Sequence, residues 1–438
     1  VKAQDEMTIN SGKRSAATEK KNRSYLLWGG IADSLSDILA SPSIVLPFLY
    51  LSLGAPQFLA GLLLPCVKGA RIVAEATMSP YVRVGDRSKK AMILPNLVIA
   101  LVLAVLALSG AALPDGFVMV LFVVVALVVG CCYGIWALGS NHIYGSELEE
   151  EERGQVVFTQ LALSSILAIA IVWITLTLMA GETPFERHRV LLWLGVLALL
   201  VSCFCMFRLV LTKSSESDSK PQDTKAKESF VAQVSRGWSL ALQHAWFRRF
   251  LIARVFFLSV ELATPFYTIH AATFHLSTPH ILSIFVTATC AGRALGAMLW
   301  RRIVRKSIRY TIAGASMIAC MSSLMAIGFD LFGLASNPWI YATTIFFLSF
   351  GIGGETEGRY LYLLSMSSAD NRPYMVALSD AVAGIGGIIF AAVLGLVAQI
   401  QSVLIPLGVL AVLNAVSVYL ALSLTEKNLK EPEKAGSN

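Results

Sequence analysis

Twelve apolar runs, each close to or above the roughly 20 residues that a helix needs to cross a bilayer, limit what this chain can fold into. They fall at about residues 25–53, 58–83, 91–113, 117–144, 156–180, 190–211, 247–273, 280–299, 310–329, 339–364, 375–398 and 403–424. The spacers are too short for soluble domains, except a polar stretch after Leu211 that divides the runs six and six. Charged residues make up only 14% of the 438, against roughly 25% in a soluble domain. The expected fold class is therefore all-α: a polytopic membrane protein with 12 transmembrane helices in two six-helix pseudo-repeat bundles. The expected organisation is an N-terminal tail (1–24), a first bundle (25–211), a linker (212–246), a second bundle (247–424) and a C-terminal tail (425–438).

Lys and Arg set the expected orientation. Counted from a cytoplasmic N-terminus, only Arg187 and Arg189 fall at the outer ends of the runs, so the positive-inside rule places both tails and the linker in the cytoplasm. The net charge of +7 is accounted for by this topology and implies no nucleic-acid partner. The first 24 residues have no apolar core and read as a tail rather than a cleavable signal. The seven cysteines all lie inside apolar runs without metal-ligand spacing and read as small buried residues. Lys213 to Lys227 reads as a flexible segment. Phe230, Val234, Trp238, Leu242 and Trp246 then recur at spacing four beside Gln233, Arg236 and Gln243, which predicts a short amphipathic helix on the inner membrane surface.

Charges inside apolar runs need a reason, because each costs about 2.5 to 3.5 kcal/mol to insert and such residues mark partners or aqueous paths. Lys68, Arg71 and Glu75 share one face of the second run. Asp33 and Asp37 share a face of the first, just before Ser41-Pro42. At 1.5 Å per residue, Asp37 lies roughly 21 Å from Arg23, and Arg71 roughly 18 Å from Arg83. Comparable depth makes Asp37 a candidate partner for Arg71 or Lys68. The alternative is an intrahelical pair between Arg71 and Glu75. Gly130, Gly134 and Gly139 in the fourth run have the small-residue spacing that lets helices approach closely. That run ends in His142, a group able to titrate near neutral pH.

The second half echoes the first at one constant offset of 223 residues. Ser41-Pro42 answers Thr264-Pro265, Ala55-Pro56 answers Thr278-Pro279, and Gly69 answers Gly292. Parallel repeats of this kind occur in transporters. Glu261 and Arg293 each fall one position from the partner of Asp37 and of Arg71. The tenth run carries Glu355, Glu357 and Arg359, of which Glu355 and Arg359 can pair along the helix. Asp380 follows in the eleventh. Internal charges therefore occupy runs one, two, seven, eight, ten and eleven, whereas every third run is free of them.

This pattern resembles the major facilitator superfamily, over the whole chain in topology and locally in the loop after the second helix. There Asp86, Arg87, Lys89 and Lys90 match the family's Gly-x-x-x-Asp-Arg-x-Gly-Arg-Arg/Lys motif in type, with Tyr81 and Ser88 standing where its glycines belong. The resemblance implies that these residues form a gating contact on the inner face. It also implies that helices one, four, seven and ten line the cavity. The expected function is secondary active transport of a small organic solute by alternating access. The cations favour an anionic or zwitterionic solute, and protons are the coupling ion. The site residues would be Asp33, Asp37, Lys68, Arg71, Glu75, His142, Glu261, Arg293, Glu355, Glu357, Arg359 and Asp380. A monomer in the bacterial inner membrane is expected, with lipid around it, no cofactor and no enzymatic activity. A rival reading is a non-transporting receptor or assembly factor on the same scaffold.

Overall fold

A computed structural model describes residues 2–54, 56–82, 86–109, 115–148, 150–211, 230–276, 278, 280–368 and 371–425. The expected flexible segment and the C-terminal tail beyond 425 lie outside them. The helices are α1 (Lys2–Leu39), α2 (Val45–Ser52), α3 (Gln57–Val82), α4 (Asp86–Ser109), α5 (Asp115–Glu147), α6 (Glu150–Leu178) and α7 (Pro184–Arg208). In the second half they are α8 (Phe230–Gln243), α9 (Ala245–Glu261), α10 (Thr264–His275), α11 (Ile281–Val304), α12 (Ile308–Leu331), α13 (Pro338–Met366), α14 (Arg372–Ile400) and α15 (Leu404–Ser423). Among the described residues, ten helical segments are long and apolar enough to cross a membrane. The two other expected spans are α1 with α2, which a break divides, and α13, which carries Glu355, Glu357 and Arg359. Several starts are written locally. Thr183 caps α7 before Pro184, Ser307 caps α12, and Asn337 accepts from Trp339 N and Ile340 N at the head of α13.

The Ser/Thr-Pro positions do break the first helix of each half. The α1 helix stops at Leu39 and α2 begins at Val45, and α9 stops at Glu261 just before Thr264-Pro265 opens α10. Proline removes a donor and displaces the preceding turn, and such breaks are tolerated at membrane depth only where protein or a cavity satisfies the freed groups. Here the first break is satisfied in part from the second half: Thr268 Oγ1 of α10 donates to the Ser43 carbonyl at 3.0 Å.

The glycine spacing on α5 also does what the sequence predicts. A Cβ on Gly130 or Gly134 would strike the carbonyl oxygens of Val67 and Arg71 on α3. The two backbones touch, and this contact sets the height of Lys68 and Arg71. Gly130→Ala should therefore cost about 1–3 kcal/mol, because a backbone cannot rotate out of the way as a side chain can. Thermal unfolding in detergent checks this, with Gly328→Ala as control, since nothing lies within 4 Å of that position. Equal midpoints for the two variants would contradict it.

Helix α8 forms as expected but buries a different face. Gly237, Leu240 and Ala241 are buried, whereas Trp238 and Leu242 are 58% and 64% exposed. Gly237 lets α8 settle on the Tyr374 carbonyl of α14, and Arg236 lies over the Tyr374 ring at 4.4 Å. The spacing-four stripe is thus shared: Val234 and Trp246 pack on protein, and Trp238 and Leu242 face outward.

The distribution of core residues shows which end is closed. One end carries most of the basic residues, including Lys90, Arg208, Arg248, Arg301 and Arg372. At that end each half has its own core, around Leu26, Ile143 and Met206 in the first and Phe250, Tyr362 and Met375 in the second. At the opposite end the cores mix the halves, with Leu46, Tyr50, Phe266 and Leu407 in one cluster and Phe48, Leu176, Phe285 and Tyr341 in another. A cleft between the halves therefore opens at the basic end and is sealed at the other.

Candidate functional site

A charge cluster occupies the cleft where the second-half break meets α3. Glu261, the last residue of α9, is reached by Lys68 Nζ at 2.6 Å, Arg254 Nη2 at 3.4 Å and Arg359 Nη2 at 3.8 Å. Arg359 Nε in turn bonds Glu355 Oε1 at 2.9 Å, the i,i+4 pair predicted for α13. Asp380 of α14 interacts electrostatically with Arg359 and Arg254. Three cations thus face three carboxylates, and only Lys68 comes from the first half. Glu355 is fully buried and Arg254 is 3% exposed. The Nε and Nη1 donors of Arg254 have no partner among the described residues. A buried guanidinium with two of its three nitrogens unpartnered is an incomplete site for negative charge.

A second polar group lines the first half of the cleft. Tyr133 of α5 donates to Asp37 at 2.9 Å, and Asn96 of α4 donates to Asp33 at 2.8 Å while also bonding Ser202 at 3.3 Å. Across from Asp37 stands α11. Asp37, Ile38, Ser41, Ile44, Val286, Thr289 and Arg293 enclose a cavity of about 20 Å³ between the halves. Arg71 and Glu75 pair along α3 at 2.7 Å, and the Arg71 side chain is 50% exposed.

The same arrangement of helices is found in solved transporters. The chain is similar to the xylose transporter XylE of E. coli in a partially occluded inward open conformation, with a TM-score of 0.68 and 9% identity over 95% of this chain and all of that one. It is also similar to the nucleoside transporter NupG, with a TM-score of 0.67 and 11% identity over 93% of this chain and all of that one. The chain has the major facilitator fold. No family model matches the sequence. Uncharacterized proteins of Mycobacterium tuberculosis and Mycobacterium bovis are 24% identical over 387 residues, 88% of this chain and 73% of theirs. The chain is an integral membrane protein of all-α architecture.

Within the major facilitator fold the expected pairings are partly rearranged. Asp37 meets neither Arg71 nor Lys68, because α1 packs on α6 and α7 whereas α3 packs on α5 and α14. Equal depth was not adjacency. Arg71 takes the alternative, the intrahelical pair with Glu75, and Lys68 crosses to Glu261. Arg293 forms no ion pair among the described residues and is exposed to the cleft. Glu357 points away from Glu355 and is exposed.

His142 stands apart from the cluster. Its Nδ1 meets Ser88 Oγ at 3.1 Å, and Ser88 donates to the Val82 carbonyl at 2.7 Å, so Ser88 ties the first turn of α4 to the end of α3 and to α5. In the first turn of α4, Lys89 donates to the carbonyls of Phe207, at the end of α7, at 2.8 Å and of Leu209, just beyond it, at 2.6 Å. Arg87 and Lys90 are exposed. Asp86 opens α4, and its side chain lies outside the described residues.

Sequence reading overlooked several contributors. Arg254 stands seven residues before Glu261, two helical turns on one face, a spacing that could have marked it. Tyr133, Asn96 and Thr289 carry no such signal, since an uncharged polar residue in an apolar run is common. Nor do His270 and Tyr341 stand out in sequence, yet they form a buried network at the sealed end, where His270 Nδ1 meets Tyr341 Oη at 2.8 Å and Asp330 lies 3.8 Å from Nε2.

Proposed function

We propose that the protein is a secondary active transporter that moves a small anionic or zwitterionic organic solute by alternating access, with protons as the coupling ion. The observation that carries this reading is Glu261, one carboxylate at the break of a cleft-lining helix held by cations from both halves. A rearrangement that parts the halves must separate Lys68 from Glu261, and the loss of a cation changes how readily a carboxylate holds a proton. Proton binding is then tied to which end is open. The nucleoside and xylose transporters similar in fold support movement of a small organic solute.

In this reading the bundles 25–211 and 247–424 rock about the cleft, with 212–246 joining them and the basic end in the cytoplasm of a bacterium. The protein acts as a monomer in the inner membrane. Asp86, Arg87, Lys89 and Lys90 gate the cytoplasmic end, and Asp33, Glu357 and Asp380 shape the field along the path. Purified protein in liposomes, given a panel of labelled organic acids, amino acids, nucleosides and sugars, provides the test. Accumulation of at least one solute under an imposed proton gradient, abolished by a protonophore, is expected. No movement of any solute would favour a non-transporting receptor instead.

A further inference from the structure

We infer that the cavity between α1 and α11 is a solute subsite for a zwitterion, with Asp37 receiving a cationic amine, Arg293 a carboxylate, and Thr289 a hydrogen bond to that carboxylate. The inference rests on the transporter reading above and assigns the solute class.

Asp37 and Arg293 line the same cavity from opposite halves, yet they do not form an ion pair. Opposite charges that border one space without closing on each other leave both available to a third party. Each is free in a different way. Asp37 accepts one hydrogen bond, from Tyr133 at 2.9 Å, and an ionised carboxylate can accept about four. Tyr133 therefore fixes the direction of the carboxylate and leaves its remaining lone pairs unused. Arg293 has no ion pair among the described residues, so its planar fork is unspent, and that fork suits two carboxylate oxygens.

The third observation is Thr289, one helical turn before Arg293. Its hydroxyl is buried without a hydrogen-bond partner among the described residues, and Thr289 lines the cavity. Buried hydroxyls without partners are uncommon and call for an explanation. A carboxylate held on Arg293 would accept from it.

The cavity's 20 Å³ holds about one or two waters in this state, so a solute enters it with its charged ends and keeps its bulk in the open cleft. The chemistry also excludes alternatives. A neutral polyol would leave both charges without a counter-charge. A simple anion would satisfy Arg293 but stand against Asp37. An amino acid or betaine-like zwitterion satisfies both at once and adds no net charge. The Lys68–Glu261 cluster is a separate set of groups and remains free to carry the coupling proton.

The probes are L-amino acids, their N-acetyl forms (anion only), their methyl esters (cation only), and uridine and D-xylose as neutral solutes. Binding is read as thermal stabilisation of the purified full-length protein and as uptake into proteoliposomes. Stabilisation is expected from zwitterions and not from either single-charge form or the neutral probes. Arg293→Gln should weaken zwitterion binding by about 10- to 100-fold, the range for a charge-assisted pair. Asp37→Asn should reverse the order so that N-acetyl forms compete with the parent amino acids.

Thr289→Val separates binding from folding. It removes an unpartnered hydroxyl at constant shape, so the ligand-free protein should melt no lower, while zwitterion affinity falls about fivefold to tenfold. Stabilisation and uptake of uridine or xylose without any zwitterion effect would overturn this inference and leave the transporter reading standing. Undiminished zwitterion binding in Arg293→Gln would overturn it as well. Failure of every probe to move in liposomes would instead count against the transporter reading.

Discussion

Glu261→Gln is expected to lose gradient-driven accumulation of solute while retaining exchange of internal for external solute. A glutamine resembles the protonated carboxylate and can neither take up nor release a proton, whereas exchange needs no net proton movement. The same substitution should lower stability by about 3 kcal/mol, because removing one partner of a buried ion pair strands the other charges. The lower part of the usual range applies, since Lys68 is 31% exposed and its charge is partly hydrated. The two effects can be separated. Adding Lys68→Met removes one stranded cation and should recover part of the lost thermal stability, yet accumulation should remain absent. Recovery of both together would reduce Glu261 to a structural counter-ion. Accumulation by the single variant would move the coupling carboxylate elsewhere, with Asp380 and Glu355 next.

Trp173→Ala is expected to shift the balance between the two access states by about 2 kcal/mol, roughly thirtyfold, toward opening of the sealed end. Trp173 on α6 belongs to the first half, but its indole reaches the second. Its indole donates to Thr287 at 3.1 Å and stacks on His280 at 5.7 Å and Trp339 at 6.2 Å. His280 holds a left-handed backbone, φ 62°, at the head of α11, a conformation a non-glycine residue keeps only when its surroundings fix it. These contacts exist only while this end is closed, so their loss destabilises one state and not the other. Labelling a cysteine placed at buried Ser43 with a membrane-impermeant maleimide reads the shift, and Trp173→Ala should speed it. An unchanged rate would mean that the mixed apolar cores seal this end without the tryptophan.

The sequence carried the parts of the fold that depend on the chain's nearest neighbours along itself. Run lengths placed the spans, because lipid admits only a backbone that bonds to itself. The Ser41-Pro42 and Thr264-Pro265 breaks, the close approach at Gly130 and Gly134, and the Arg359–Glu355 pair all follow from local geometry within a helix or from the absence of a side chain. The 223-residue echo marked the twofold construction and singled out Glu261 beside Asp37.

What it could not supply was which helix stands beside which. Depth along a helix is one coordinate, and a pairing needs the other two. Asp37 and Arg71 agree in depth but lie on helices with different neighbours, so Tyr133 and Glu75 take their places. Lys68 meets a carboxylate from the other half, a contact that exists only because α3 and α9 border one cleft. Apolar residues carry no address, and the packing of whole helices decided which polar side chains were brought together: Glu261 among three cations, and Asp37 across one cavity from Arg293.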